Sequence, residues 1–147
     1  MNRRGLFALA LVSLFPALPI VALAADDAKP LQGAWIAKSM EVNGAPAPAK
    51  AVERVQFTFE GDKLSIKGNF SDERVDECTY KVDGEKSPKH LDISHPKETK
   101  PIVGIYKVNG DTLTVCLRHA SSNEGRPNEF VSKADSNLVL ITFEKKK

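Results

Sequence analysis

The sequence predicts an all-β fold: an eight-stranded antiparallel up-and-down barrel with a short helical turn at most. Three observations predict it. Short runs such as Val55-Gln56-Phe57-Thr58-Phe59 and His90-Leu91-Asp92-Ile93-Ser94 place apolar residues at every second position, the period of a half-buried strand. Gly, Pro, Asn and Asp clusters separate neighbouring runs, and no long amphipathic helical pattern intervenes, as in barrels and sandwiches built of short strands. The connections are mostly short, which favours sequential pairing. In that order the last strand can meet the first and leave no free edge.

Taken in order, residues 31–40 read as the first strand. Asn43-Gly44 is a turn signal, and Ala45-Pro46-Ala47-Pro48 cannot continue a central strand because proline has no N–H to donate. Residues 49–54 have room for one helical turn. Residues 55–59 and 64–67 flank the hairpin turn Glu60-Gly61-Asp62-Lys63, and 68–73 form a loop. Residues 75–82 make a fourth strand, followed by a polar turn at 83–89. Residues 90–94 make the fifth, with Leu91 and Ile93 inward, and 95–101 form a loop.

The most readable stretch is 102–117. Asn109-Gly110 lies between two runs rich in Val, Ile, Thr and Tyr, and Asn-Gly suits a type I′ turn, whose two central residues need positive φ. Counting outward pairs Lys107 with Thr112, Tyr106 with Leu113, Ile105 with Thr114 and Gly104 with Val115. Tyr106, Leu113, Val115 and Leu117 then share the core face; Lys107, Thr112 and Thr114 share the outer one. Gly104 marks either unfilled interior space or a bend at a barrel corner. A long loop, 118–137, is broken by Phe130-Val131. The last strand, 138–143, is almost continuously apolar, which suits a strand covered on both faces.

The 147 residues suffice for one domain, expected at 31–147. Residues 1–24 have the pattern of a signal peptide: Arg3-Arg4, an apolar run, and Ala22-Leu23-Ala24 as the cleavage site. Both a general export signal and the twin-arginine route fit Arg3-Arg4. Residues 25–30 read as a flexible lead-in. Cleavage would leave 19 basic and 19 acidic side chains, a neutral chain with no charge argument for nucleic acid and no stable membrane insertion. The expected location is periplasmic or extracellular. A disulfide between Cys78 and Cys116 is permitted there, but Cys78 shares parity with Tyr80 while Cys116 falls on the outer face, which argues against one.

Leu31-Gln32-Gly33-x-Trp35, Phe59-Glu60-Gly61-Asp62-x-Leu64, Gly104-Ile105-Tyr106, Gly110-Asp111-x-Leu113 and Arg126-Pro127-x-Glu129-Phe130 follow in that order over nearly all of the mature chain. As a set they resemble an uncharacterised family of small secreted domains typical of planctomycete-type bacteria. The resemblance implies a lipocalin-like barrel and brings no ligand or reaction with it. Gly33-Ala34-Trp35 also resembles the G-x-W motif that opens the lipocalin barrel, where the Trp plugs one end beneath a basic side chain from near the last strand. No Arg lies in the last strand here. Arg126 is then the candidate cation over Trp35, with Phe130 beside it, the three forming a barrel-end cap.

Candidates for chemistry are few. His90-x-Asp92-x-Ser94 falls on one outer face with His95 just beyond, and alternate residues pointing outward do not converge on a substrate. His119, Ser121 and Ser122 have no spacing that implies a triad. Asp72-Glu73 and Asp76-Glu77 read as solvated charge. No G-x-S-x-G, P-loop or H-E-x-x-H occurs. The expectation is therefore no catalytic residue, no metal, no cofactor and no enzyme. Phe57, Phe59, Ile66, Tyr106, Leu113 and Val115 would line an interior able to hold one small apolar ligand. The alternative is an envelope protein–protein interaction module with a filled core, motivated by Val103 and Ile105 on the outer face.

Overall fold

The computed structural model describes residues 27–68 and 74–147; the signal-peptide reading and Asp72-Glu73 lie outside them. Nine strands follow in chain order: β1 (Gly33–Val42), β2 (Ala45–Pro46), β3 (Gln56–Glu60), β4 (Lys63–Lys67), β5 (Val75–Asp83), β6 (Lys89–Ser94), β7 (Ile102–Asn109), β8 (Thr112–Arg118) and β9 (Leu138–Lys145). The helical turn is α1 (Ala49–Val52). Each strand pairs antiparallel with its neighbour in sequence, except that β3 pairs with β1, and β1 also pairs with β9. The barrel is thus closed by eight strands. The two-residue β2 is a side arm on β1, ended by Pro46 as its missing N–H requires.

Closure bends β1. Its register slips between Ala37 and Ser39 opposite β9, so Lys38 is an extra residue turned to solvent. A bulge of this kind curves a strand at a barrel corner, and it resets the alternation so that Met40, not Ser39, returns to the interior.

The β7–β8 turn corrects the expected one. Asn109 pairs with Thr112 and Tyr106 with Val115, so the two loop residues are Gly110 and Asp111. Of these, only Gly110 has positive φ, the pattern of a type II′ turn, which places glycine first. The slip is two residues, and two residues restore parity. Every inside–outside assignment of the hairpin therefore survives the error. Gly104 consequently faces Leu117. A Cβ there would lie 2.5 Å from the Cys116 carbonyl oxygen and 2.6 Å from a Leu117 methyl, so the glycine marks close packing and not spare room.

Inside lies a core that includes fully buried Trp35, Phe59, Leu64, Leu91, Leu113, Val115 and Phe143, each contributing roughly 1.5–3 kcal/mol if a side chain of this size leaves water completely. Phe57 meets Phe143 at 4.6 Å and Phe59 meets Tyr80 edge-on at 4.9 Å between ring centroids, the tilted arrangements aromatic quadrupoles favour. The two cysteines are free, Cys78 facing the interior and Cys116 a second cluster on the outside.

That second cluster explains the long loop. Ile105, Cys116 and Leu138 point outward yet are buried, with Phe130 and Leu140 packed on them. The loop 119–137 crosses the outer wall as a strap. Arg126 Nη1 lies 2.6 Å from Asp92 Oδ1 and donates to the Gly104 carbonyl at 2.8 Å. Lys107 Nζ stands 4.6 Å from the Phe130 ring centroid. Ser132 Oγ accepts from Gly44 N–H and donates to the Leu138 carbonyl. The doubly covered last strand expected from its composition is this one.

Candidate functional site

The barrel has two unlike ends. One is sealed. Trp35 is wholly buried, its indole N–H donates to the Leu31 carbonyl at 2.7 Å, and Lys145 Nζ lies 5.4 Å from its ring centroid. Gln32 bridges the same end, donating to the Tyr80 hydroxyl at 2.8 Å and accepting from Gly61 N–H at 2.9 Å. The Tyr80 hydroxyl donates to the Gly61 carbonyl. Residues expected to lead in loosely are tied down from Asp27 onward: its carboxylate accepts from Gly84 N–H at 3.0 Å, and Leu31 is fully buried after the turn Lys29–Leu31.

Arg126 and Phe130 are therefore not part of a barrel-end cap. The cation over Trp35 is Lys145, at the end of the last strand, where alternation turns it inward. Arg126 is held on the outer wall by Asp92 and Phe130 by Lys107, as parts of the strap.

The other end is open. There the interior keeps an apolar pocket of about 260 Å³, walled chiefly by Met40, Phe57, Ile66, Ile102, Leu117 and Ile141, with Cys78 among them. Burial pushes the Cys78 thiol up to about 11, with the nearby Asp76 and Glu77 charges adding to it, so the sulfur is a neutral, weakly polar wall group near pH 7. Polar side chains stand around it: Asp76, His95, Glu98, Arg118 and His119. His95 Nδ1 accepts from Lys97 N–H at 3.1 Å, and its Nε2 faces Asp76 Oδ1 at 3.7 Å. His119 Nδ1 is 2.8 Å from Ser121 Oγ.

Of the residues expected to line a ligand, Phe57 and Ile66 are at this pocket. Phe59, Tyr106, Leu113 and Val115 belong to the packed interior, almost fully buried and away from it. Tyr106 stands out because its hydroxyl is buried without a hydrogen-bond partner. Burial raises its pKa to about 12, with Asp27, Tyr80 and Asp83 contributing in that order. Two roomier depressions lie outside the barrel around α1, one with Glu53, Arg54 and Lys67 in its wall, the other along Lys38 and Glu41. The first has little apolar wall, and the second mixes apolar residues with Lys38, Ser39, Glu41 and Glu53.

Sequence reading left His95 just beyond the outward His90, Asp92 and Ser94, with no face assigned. Alternation along Leu91 and Ile93 turns His95 inward at the rim, just as Cys78 and Tyr80 carry Asp76 inward on β5. Parity counted one residue past the end of β6 would have found His95, and parity within β5 would have found Asp76. His90 and Asp92 stay on the outer wall, and among the described residues no group of His, Cys, Asp and Glu side chains could hold a metal ion. Nor is any helix among them long and apolar enough to cross a membrane. The chain matches no protein-family model, no curated protein and no solved structure, so the functional reading rests on the geometry of the mouth.

Proposed function

We propose that this is an exported, non-enzymatic, lipocalin-like domain that takes a small apolar ligand into the open mouth of its barrel. The observation that carries the reading is the asymmetry of the interior. One half is packed to the limit around Trp35, Phe59, Leu113 and Phe143, while the other keeps an apolar space of about 260 Å³. Drug-sized ligands occupy sites of roughly 300–1,000 Å³, so the occupant is compact, closer to a single ring or a short chain than to a long-chain fatty acid. Export follows from the leader pattern in residues 1–24, and the mass of the secreted protein tests it. The interaction-module alternative keeps only part of its motive: Ile105 is covered by the chain's own strap, while Val103 stays half-buried outside that cluster.

Ligand uptake is tested by native mass spectrometry of the protein purified without organic solvent, together with competition against a small fluorescent apolar probe. A displaceable probe at 1:1 stoichiometry is expected. A protein that takes up no apolar probe, and carries nothing when purified, would overturn the reading.

A further inference from the structure

The boundary between the open and the packed interior runs around the barrel at one level. On β9 it falls between Ile141, which lines the pocket, and Phe143, which does not; on β5 between Cys78 and Tyr80; on β3 between Phe57 and Phe59. The members of each pair are alternate residues, so both point inward and differ only in depth. Phe57 brings the one phenyl ring to the pocket wall among the described residues, and that ring reaches downward. Its centroid lies 4.6 Å from that of Phe143 and 6.3 Å from that of Phe59. Leu117 shares its level but is turned onto Gly104, where a Cβ would meet its methyl at 2.6 Å. Resting on the ligand-binding reading above, we infer that the Phe57 ring is the floor of the site and sets the length of the ligand it takes, a single ring with a short alkyl chain.

Size and chemistry follow from that floor. A cavity of about 150 Å³ holds benzene, so a pocket of about 260 Å³ has room for a ring and a few further carbons. The charged and imidazole side chains of the pocket, Arg118 included, lie at or beyond the strand ends that frame the mouth. Asp76 is near the start of β5, His95 follows β6, Arg118 ends β8 and His119 comes after it. At the floor the polar group is the neutral Cys78 thiol, so the end of the ligand that meets Phe57 is hydrocarbon whatever stands at the mouth. The ring resists displacement, because it packs on Phe59 and Phe143 and a close-packed core transmits a push. Truncating it does leave space, because the surrounding side chains relax only in part.

The test is a series of alkylbenzenes, toluene through pentylbenzene, titrated into the purified protein and followed by methyl NMR. In the wild-type protein each added carbon is expected to tighten binding about fourfold while it is still buried. The gain then stops, with shifts confined to Ile66, Ile102, Leu117 and Ile141. In Phe57→Ala this break is expected to move to chains longer by about two carbons or more, with shifts spreading to Leu64 and Val115. Phe57→Leu, the milder change, is expected to move it by about one carbon and decides the matter where Phe57→Ala does not fold. Ile66→Val, in the side wall, is expected to change the affinities without moving the break. A break at the wild-type length in the Phe57 variants, or one that moves as far in Ile66→Val, would overturn the floor assignment and leave ligand uptake standing. So would a wild-type series that goes on tightening with shifts at Leu64 and Val115. No binding of any member would overturn both readings.

Discussion

Single residues carry consequences that neighbouring side chains do not share. The Tyr106 hydroxyl is buried without a partner, and an unsatisfied buried hydroxyl costs about 1–3 kcal/mol. Tyr106→Phe keeps the ring and removes the cost, so its denaturant midpoint should rise, by about 1 kcal/mol in stability; a fall would show that the hydroxyl has a partner. Gly104→Ala should act oppositely, losing about 1–3 kcal/mol, because the new methyl meets a backbone oxygen and cannot be relieved by a side-chain rotation. Trp35 and Lys145 should be coupled: in a double-mutant cycle of Trp35→Phe with Lys145→Ala, about 0.5 kcal/mol or more is expected, whereas Trp35→Phe with Arg126→Ala should be additive. Lys145 escaped sequence reading because the lipocalin-type pattern led to a search for arginine, and its inward turn depends on a parity carried to the end of β9.

Among elements, the strands were legible and the strap was not. Alternation and turn residues are local, so Val55 to Phe59 or His90 to Ser94 announce themselves, and the hairpin kept its faces through a two-residue slip because the side-chain period is two. The destination of loop 119–137 depends on contacts between distant positions, Arg126 with Asp92 and Ser132 with Gly44, which no window of sequence contains. The same loop hides Cys116, whose thiol donates toward the Val131 carbonyl and is pushed up chiefly by burial. Arg126→Ala loosens the strap. Alkylation of Cys116 in the native protein, followed by mass spectrometry, should therefore accelerate several-fold while that of Cys78 stays as it was. Equal acceleration at both, or at neither, would contradict the strap as the element that covers Cys116.

For the whole molecule, the buried acids set a pH limit. Cys78 rises from 9.0 to about 11 and Tyr106 from 10.0 to about 12 on folding. Above pH 9 the unfolded chain therefore loses these protons before the native one does. The unfolded state then binds fewer protons, the slope of stability with pH is negative, and stability present in full below pH 9 should decline through pH 12. Tyr106→Phe should flatten the upper part of that decline in urea titrations at successive pH values. The closed barrel was readable from eight strand-like runs, most of them alternating, and their mostly short connections. The division of its interior was not, because alternation assigns a residue to the inside without saying whether atoms from the opposite wall reach it. Phe57 and Tyr106 look alike in sequence; only the former ends beside open space.

That division is tested most directly by methyl NMR of the protein titrated with a small apolar probe. Shifts are expected at Ile66, Ile102, Leu117 and Ile141, with Leu64, Leu91, Leu113 and Val115 unmoved. Perturbation running through the latter set, or none at either end, would contradict a barrel that is solid in one half and receptive in the other.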